Sequence, residues 1–129
     1  MVALWISVAA IVAYWTLWFV DRSIVASMDS VPYNAFENAF PTADAWLAIA
    51  ASAAAISIQR DLPRKAFWII ATGSASFYLT AMDVTWDLEN RVYAVGGPAV
   101  PEMVINLASA ALTIWTLRVG WKLLQDADA

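Results

Sequence analysis

Val2 to Val20 is a run of nineteen residues without a charge, VALWISVAAIVAYWTLWFV, closed by Asp21-Arg22. At ~1.5 Å rise per residue, a helix of that length matches a hydrocarbon core of ~30 Å. A cleaved leader would place basic residues before the run and small ones at its end. Here bulky Trp15, Trp18 and Phe19 occupy that end, so the run reads as a retained helix. Three more apolar stretches follow. Ala45–Ile58 is half alanine and approaches spanning length when extended over Thr42–Gln59; Ala66–Met82 carries no charge, and the last stretch begins at Pro101. Composition agrees: 62% of the 129 residues are hydrophobic and 14% charged. Soluble domains run nearer ~45–50% and ~25%. A chain this small with so few charges would expose large apolar patches to water, a difficulty that a lipid solvent removes.

The expected fold is therefore all-α and integral to the membrane. One domain, residues 1–129, forms a four-transmembrane-helix bundle with helices at about 2–20, 42–59, 66–90 and 101–124. The Arg60–Lys65 turn and the Ala94–Pro98 breaker separate the later spans. Small side chains in the alanine-rich span allow the close backbone approach by which helices associate when lipid gives no hydrophobic drive. Between the first two spans, Tyr33, Phe36 and Phe40 recur at helical spacing, Ser30 suits an N-cap and Pro32 a first turn. That predicts a short amphipathic interfacial helix over about 31–40, with Asn34, Glu37 and Asn38 on its other side, placed to act as a lid or an anchor.

Basic residues near span ends set orientation. Arg60, Arg64, Lys65, Arg118 and Lys122 fall on the side of the termini, against Arg22 and Arg91 on the other. This predicts an integral plasma-membrane protein with both termini cytoplasmic. Trp5, Trp68 and Trp121 near the basic end, with Trp18, Trp46 and Trp86 near the other, read as interfacial belts, and Trp15 and Trp115 as packing residues.

The chain has no Cys and no His. That excludes thiolate nucleophiles, Fe–S clusters, thiolate zinc sites, imidazole metal ligands and histidine acid–base chemistry. A net charge of −4 argues against nucleic acid as a partner.

The remaining polar chemistry gathers on the extracytoplasmic side, which receives Asp21, Asp29, Glu37, Asp44, Asp83, Asp87, Glu89 and Glu102, eight of the eleven carboxylates. Asp83, Asp87 and Asn90 share a helical face, as do Glu102 and Asn106. Asp44 and Glu102 open helices, where the dipole favours them. Asp83 and Asp87 lie toward a C-terminus and need a proton, a cation, or Arg91 and Arg22. Stripes of Thr72, Ser76 and Thr80, and of Ser109, Thr113 and Thr116, lead away from this end, as a polar slot or as glue between helices.

The motif NAFPTADAW (Asn38–Trp46), with Met82-Asp83, Glu89-Asn90, Glu102 and Asn106, resembles a family of short, uncharacterised four-helix membrane proteins of bacteria and archaea. That resemblance implies a four-span bundle over nearly the whole chain. Asp21 closing the first helix and acids at helix ends are also similar to the EXPERA group of sterol isomerases and sigma-2-type sterol-binding proteins, which implies a lipid pocket with proton-handling carboxylates, without the histidine of that group.

The expected function is an acidic extracytoplasmic pocket that binds a cation or a polar lipid head group. Its ligand-binding candidates are Asn38, Asp44, Asp83, Trp86, Asp87, Asn90, Glu102 and Asn106. No cofactor is required. Oxygen-only ligands at Asp83, Asp87 and Glu102 suit Ca²⁺ or Mg²⁺. Two alternatives stay open: a lipid-modifying, isomerase-like enzyme using Asp44, Asp83 or Glu102 as acid and base, and an accessory subunit. The expected partners are the lipid bilayer, a lipid or small cation as ligand, and a homo-oligomer or larger membrane complex.

Overall fold

A computed structural model of the chain describes residues 1–127. Its helices are α1 (Val2–Asp21), α2 (Val31–Glu37), α3 (Pro41–Gln59), α4 (Lys65–Glu89) and α5 (Val100–Ala127), joined by short 3₁₀ turns at Arg22–Ile24, Val92–Val95 and Gly97–Ala99. No strand occurs among the described residues. Three regions, which contain α1, α3 and α5, are long and apolar enough to cross a membrane. α4 is 25 residues long but carries Thr72, Ser74, Ser76 and Thr80 within its apolar run and Asp83 directly after it, which lowers its mean hydropathy.

The outer surface is far more apolar than that of a water-soluble bundle. Phe19, Ile49, Phe67, Phe77, Tyr78, Leu107 and Ile114 point outward, each more than half exposed. The interior combines two apolar clusters, one around Trp15, Trp18, Tyr33 and Leu79 and one around Leu4 and Ile69, with small and polar groups: Ala50, Ala51, Ala54 and Ala55 on α3, Thr72 and Ser76 on α4, Thr113 and Thr116 on α5. An apolar exterior over an interior that also buries hydroxyl and carboxyl groups fits a hydrocarbon surround.

The long helices pack in sequence order: α1 on α3, α3 on α4, and α4 most extensively on α5. The ends of this row, α1 and α5, approach each other far less closely, although Leu4 and Val8 of α1 share a core cluster with Leu112, Trp115 and Val119 of α5. Glycine sets the α4–α5 approach: a Cβ on Gly73 would lie 2.7 Å from Thr116 Oγ1 and 2.8 Å from Leu117 Cδ2. The two hydroxyl stripes meet there, and Ser76, Thr80 and Ser109 also line a cavity. Ser76 Oγ donates across the interface to the Ser109 carbonyl at 3.0 Å, while Thr72 and Thr116 donate to carbonyls of their own helices.

α2 begins where the sequence signals it: Ser30 Oγ accepts from the Tyr33 amide at 3.3 Å and Pro32 lies in the first turn. It stops at Glu37, three residues before the expected limit, because the Ala39 and Phe40 amides turn back onto Phe36 and Glu37 carbonyls ahead of Pro41. α4 ends at Glu89, where Arg91 takes a left-handed conformation (φ 57°). Gly96 (φ 81°) makes the next turn, a conformation that favours glycine.

Candidate functional site: an acidic cavity beneath α2

Four elements bring carboxylates to one end of the bundle. Glu37 ends α2, Asp44 lies in the first turn of α3, Asp83 sits near the end of α4, and Glu102 lies in the first turn of α5. One oxygen each from Glu37, Asp83 and Glu102 lies within 4.8 Å of the others. Glu37 and Glu102 are buried and Asp83 half-buried.

Phenol, hydroxyl and indole donors hold this cluster. Ser27 Oγ and Tyr33 Oη both donate to Glu102 Oε2, at 2.8 and 2.9 Å. Tyr33 Oη in turn accepts from the Ser27 amide at 3.1 Å. Tyr14 Oη donates to Glu37 Oε2 at 3.0 Å, and Trp15 Nε1 to Asp44 Oδ2 at 2.8 Å. Glu37 Oε1, also buried, has no hydrogen-bond partner.

Arginine does not neutralise the cluster. Arg22 instead lies 5.5 Å from the centre of the Trp18 ring, and the ion pair formed among the described residues is Lys65–Asp61 at the opposite end. The pairing of Asp83 with Arg91 or Arg22, one of the expected ways to compensate it, is therefore not made. Three carboxylates this close repel one another strongly in a low dielectric. The arrangement is suited to hold positive charge, brought by a proton, a metal ion or an ammonium group.

The cluster opens into a cavity of about 210 Å³. One part of its wall is polar, with Tyr14, Glu37, Asp44, Asp83, Glu102 and Asn106; the rest is mainly apolar, with Ile11, Leu47, Leu79 and Leu112, interrupted by the hydroxyls of Ser7, Ser76, Thr80 and Ser109. Ala10 on α1 and Ile105 and Ala108 on α5 also line it, and all three are exposed. They lie on the two long helices with the least packing between them, so the cavity reaches the surface between α1 and α5.

The expected site residues divide. Asp44, Asp83, Glu102 and Asn106 line the cavity. Asp87 is fully buried next to it: Asn106 Nδ2 donates to Asp87 Oδ2 at 3.1 Å and to Tyr93 Oη at 2.9 Å, and Asp87 Oδ1 has no partner. Burial, and then Asp87, raise the Tyr93 phenol well above its ordinary ionisation range. Of the expected metal set, Asp83 and Glu102 come together with Glu37 rather than with Asp87.

Three expected ligand residues do other work. Asn90 folds back to donate to the Trp86 carbonyl at 2.9 Å, which closes the end of α4. Asn38 Oδ1 accepts from Trp18 Nε1 at 2.9 Å, so it ties α1 to the end of α2. Trp86 stacks on Phe36, with ring centres 4.5 Å apart, and supports α2 from outside the cavity.

Glu37, Tyr14, Tyr33 and Ser27 are absent from the expected set. The spacing of Tyr33, Phe36 and Phe40 sets Glu37 on the other side of α2, among the carboxylates of this end but outside the ligand set. The opposite signal was present: Tyr33 and Glu37 are four apart and share a face, and both are buried. Comparisons with family models, with curated proteins and with solved structures find no match to the chain.

Proposed function

We propose that the chain crosses the membrane four times and uses the acidic cavity to bind a guest with a positively charged head and an apolar tail. The carrying observation is the cluster of Glu37, Asp83 and Glu102, unpaired with Lys or Arg and holding one buried oxygen that lacks a donor. The five basic residues at the far end orient the cavity toward the extracytoplasmic half of the bilayer.

Geometry supports an ammonium head. A nitrogen placed centrally among three oxygens no more than 4.8 Å apart sits within about 2.8 Å of each, the length of a charge-assisted N–H···O bond. The volume supports a tail. An apolar cavity of ~150 Å³ accepts a benzene ring, so about 210 Å³ holds a head and several carbons. A longer chain continues through the α1–α5 gap into lipid. Hydrocarbon surrounds the tail in the bilayer and in the cavity alike, so the head decides the selectivity. No Lys or Arg lines the cavity, which disfavours a phosphate beside the ammonium.

A second reading has its own support. The same three carboxylates, with Tyr14 and Asn106 close by, are oxygen ligands suited to Ca²⁺ or Mg²⁺. The apolar remainder of the cavity would then stay unfilled, so this reading ranks second.

The test is thermal unfolding of the full chain in phosphatidylcholine nanodiscs with n-octylammonium, n-octanol, Ca²⁺ or Mg²⁺. Octylammonium at a hundredfold excess over its Kd should stabilise by ~2.7 kcal/mol. Octanol, with the same tail, should not. Asp83→Asn and Glu102→Gln should abolish the shift. Stabilisation by the divalent ions alone would select the metal reading, and no response to any of the four would refute both.

A further inference from the structure

The cavity is covered on its water-facing side. α2 lies over the acidic end and is firmly packed: Tyr33 is fully buried, and Phe36 and Phe40 join a core with Trp15, Trp18, Leu79 and Trp86. Beneath it Tyr33 bonds Glu102 and Tyr14 bonds Glu37, and both acids are only 4% exposed. Toward the basic end, Leu4 and Val8 of α1 share a cluster with Leu112, Trp115 and Val119 of α5, which closes the space between those two helices from below.

Between these closures the wall is open. Among the residues that line the cavity, the exposed ones are Ala10 on α1 and Ile105 and Ala108 on α5. The opening is thus a slit between the two helices, and each edge carries an alanine, whose single methyl obstructs little. Ile105 and Ala108 come five and eight residues after Val100, and Ala10 comes eleven before Asp21. At ~1.5 Å rise per residue they lie ~8, ~12 and ~17 Å from the acidic ends of their helices. Within a hydrocarbon core of ~30 Å, that depth belongs to acyl chains, not to water.

We propose that the guest loads sideways from the bilayer through this slit, with Ala10 and Ala108 setting what passes. An amphiphile in the leaflet on the acidic side already has its tail at the depth of the slit and its head near the level of Glu102. The tail slides between the helices, and the head follows along the outer edge to the acids without crossing the core. An amine with no tail lacks this approach, because from water the acids lie behind the packed aromatic side chains of α2. The guest class is therefore a membrane-partitioned, single-chain amine. This inference rests on the reading of the cavity as a site for a cationic head with an apolar tail.

Stopped-flow tryptophan fluorescence of the full chain in phosphatidylcholine nanodiscs follows loading, because Trp15 lines the cavity, with thermal unfolding recorded on the same samples. At equal aqueous concentration, association should quicken about fifteenfold for each two methylenes from n-butyl- to n-hexyl- to n-octylammonium, in step with partition into the bilayer. Ala10→Phe combined with Ala108→Phe should slow n-octylammonium roughly tenfold while the thermal shift persists. Ala13→Phe combined with Ala111→Phe, exposed on the same helices but off the cavity, should not slow it. Phe36→Ala, which loosens the water-facing cover, should leave the rate unchanged. Association rates independent of tail length, or faster loading in Phe36→Ala with no effect of the two slit substitutions, would overturn the slit and leave the binding reading intact. The tail series uses the wild type alone, so it decides the case even if the double substitution disturbs folding. Neither a fluorescence change nor a thermal shift with n-octylammonium in the wild type would remove the binding reading itself.

Discussion

Tyr33→Phe is the sharpest single test of how the acidic end is built. The Tyr33 side chain is fully buried, and its hydroxyl makes two bonds at once. It donates to Glu102 Oε2 at 2.9 Å and accepts from the Ser27 amide at 3.1 Å. Phenylalanine keeps the ring and its contacts with Trp18 and Trp86, so the change isolates the hydroxyl. A hydrogen bond to a carboxylate contributes ~1.5–3 kcal/mol, and a buried N–H left without an acceptor costs ~1–3 kcal/mol. Ser27 Oγ still donates to the same carboxylate oxygen, which limits the first loss. The expected total is ~2–4 kcal/mol. Reversible unfolding by SDS titration in mixed micelles measures it, followed by tryptophan fluorescence, since Trp18 and Trp86 both flank the ring. A double-mutant cycle with Glu102→Gln should give a coupling energy of ~1–2 kcal/mol, as expected for residues in direct contact. A loss below ~0.5 kcal/mol, the size of an ordinary surface change, would show that the hydroxyl does not tie α2 to α5.

Two further outcomes follow from the packing. Gly73→Ala should destabilise by ~1–3 kcal/mol through overpacking, because the new methyl meets Thr116 Oγ1, which is held by bonds to Leu112 and Thr113 carbonyls. Gly97→Ala, where a Cβ meets nothing within 4 Å, should stay within ~0.5 kcal/mol of wild type in the same SDS titration. Ser30→Ala removes the N-cap of α2 and should weaken that helix by ~1 kcal/mol. The readout is roughly fivefold faster amide exchange confined to 31–37, and equal acceleration in α3 would contradict it.

Much of this architecture is legible in the sequence because it depends on local properties. An apolar run shows its length directly, and Pro41, the Arg60–Lys65 turn and Gly96 mark helix boundaries through backbone preferences that need no tertiary context. Chain direction through successive helices then sorts acids to one end and bases to the other. For the same reason Asp44, Asp83, Glu102 and Asn106 are recognisable as neighbours before any coordinates: each lies near the end of a long apolar helix.

Tertiary structure decided which side of each short or terminal segment faces inward. Period alone offers two faces for α2, one with Phe36 and Phe40 and one with Tyr33 and Glu37, and bonds from distant Tyr14 to Glu37 and from Tyr33 to Glu102 choose between them. Asn90 and Asn38 look like ligands in sequence, yet a nearby carbonyl in one case and the Trp18 indole in the other claim their side chains. The cavity depends on α1 and α5 remaining apart, a relation between residues about a hundred positions apart that no local pattern encodes.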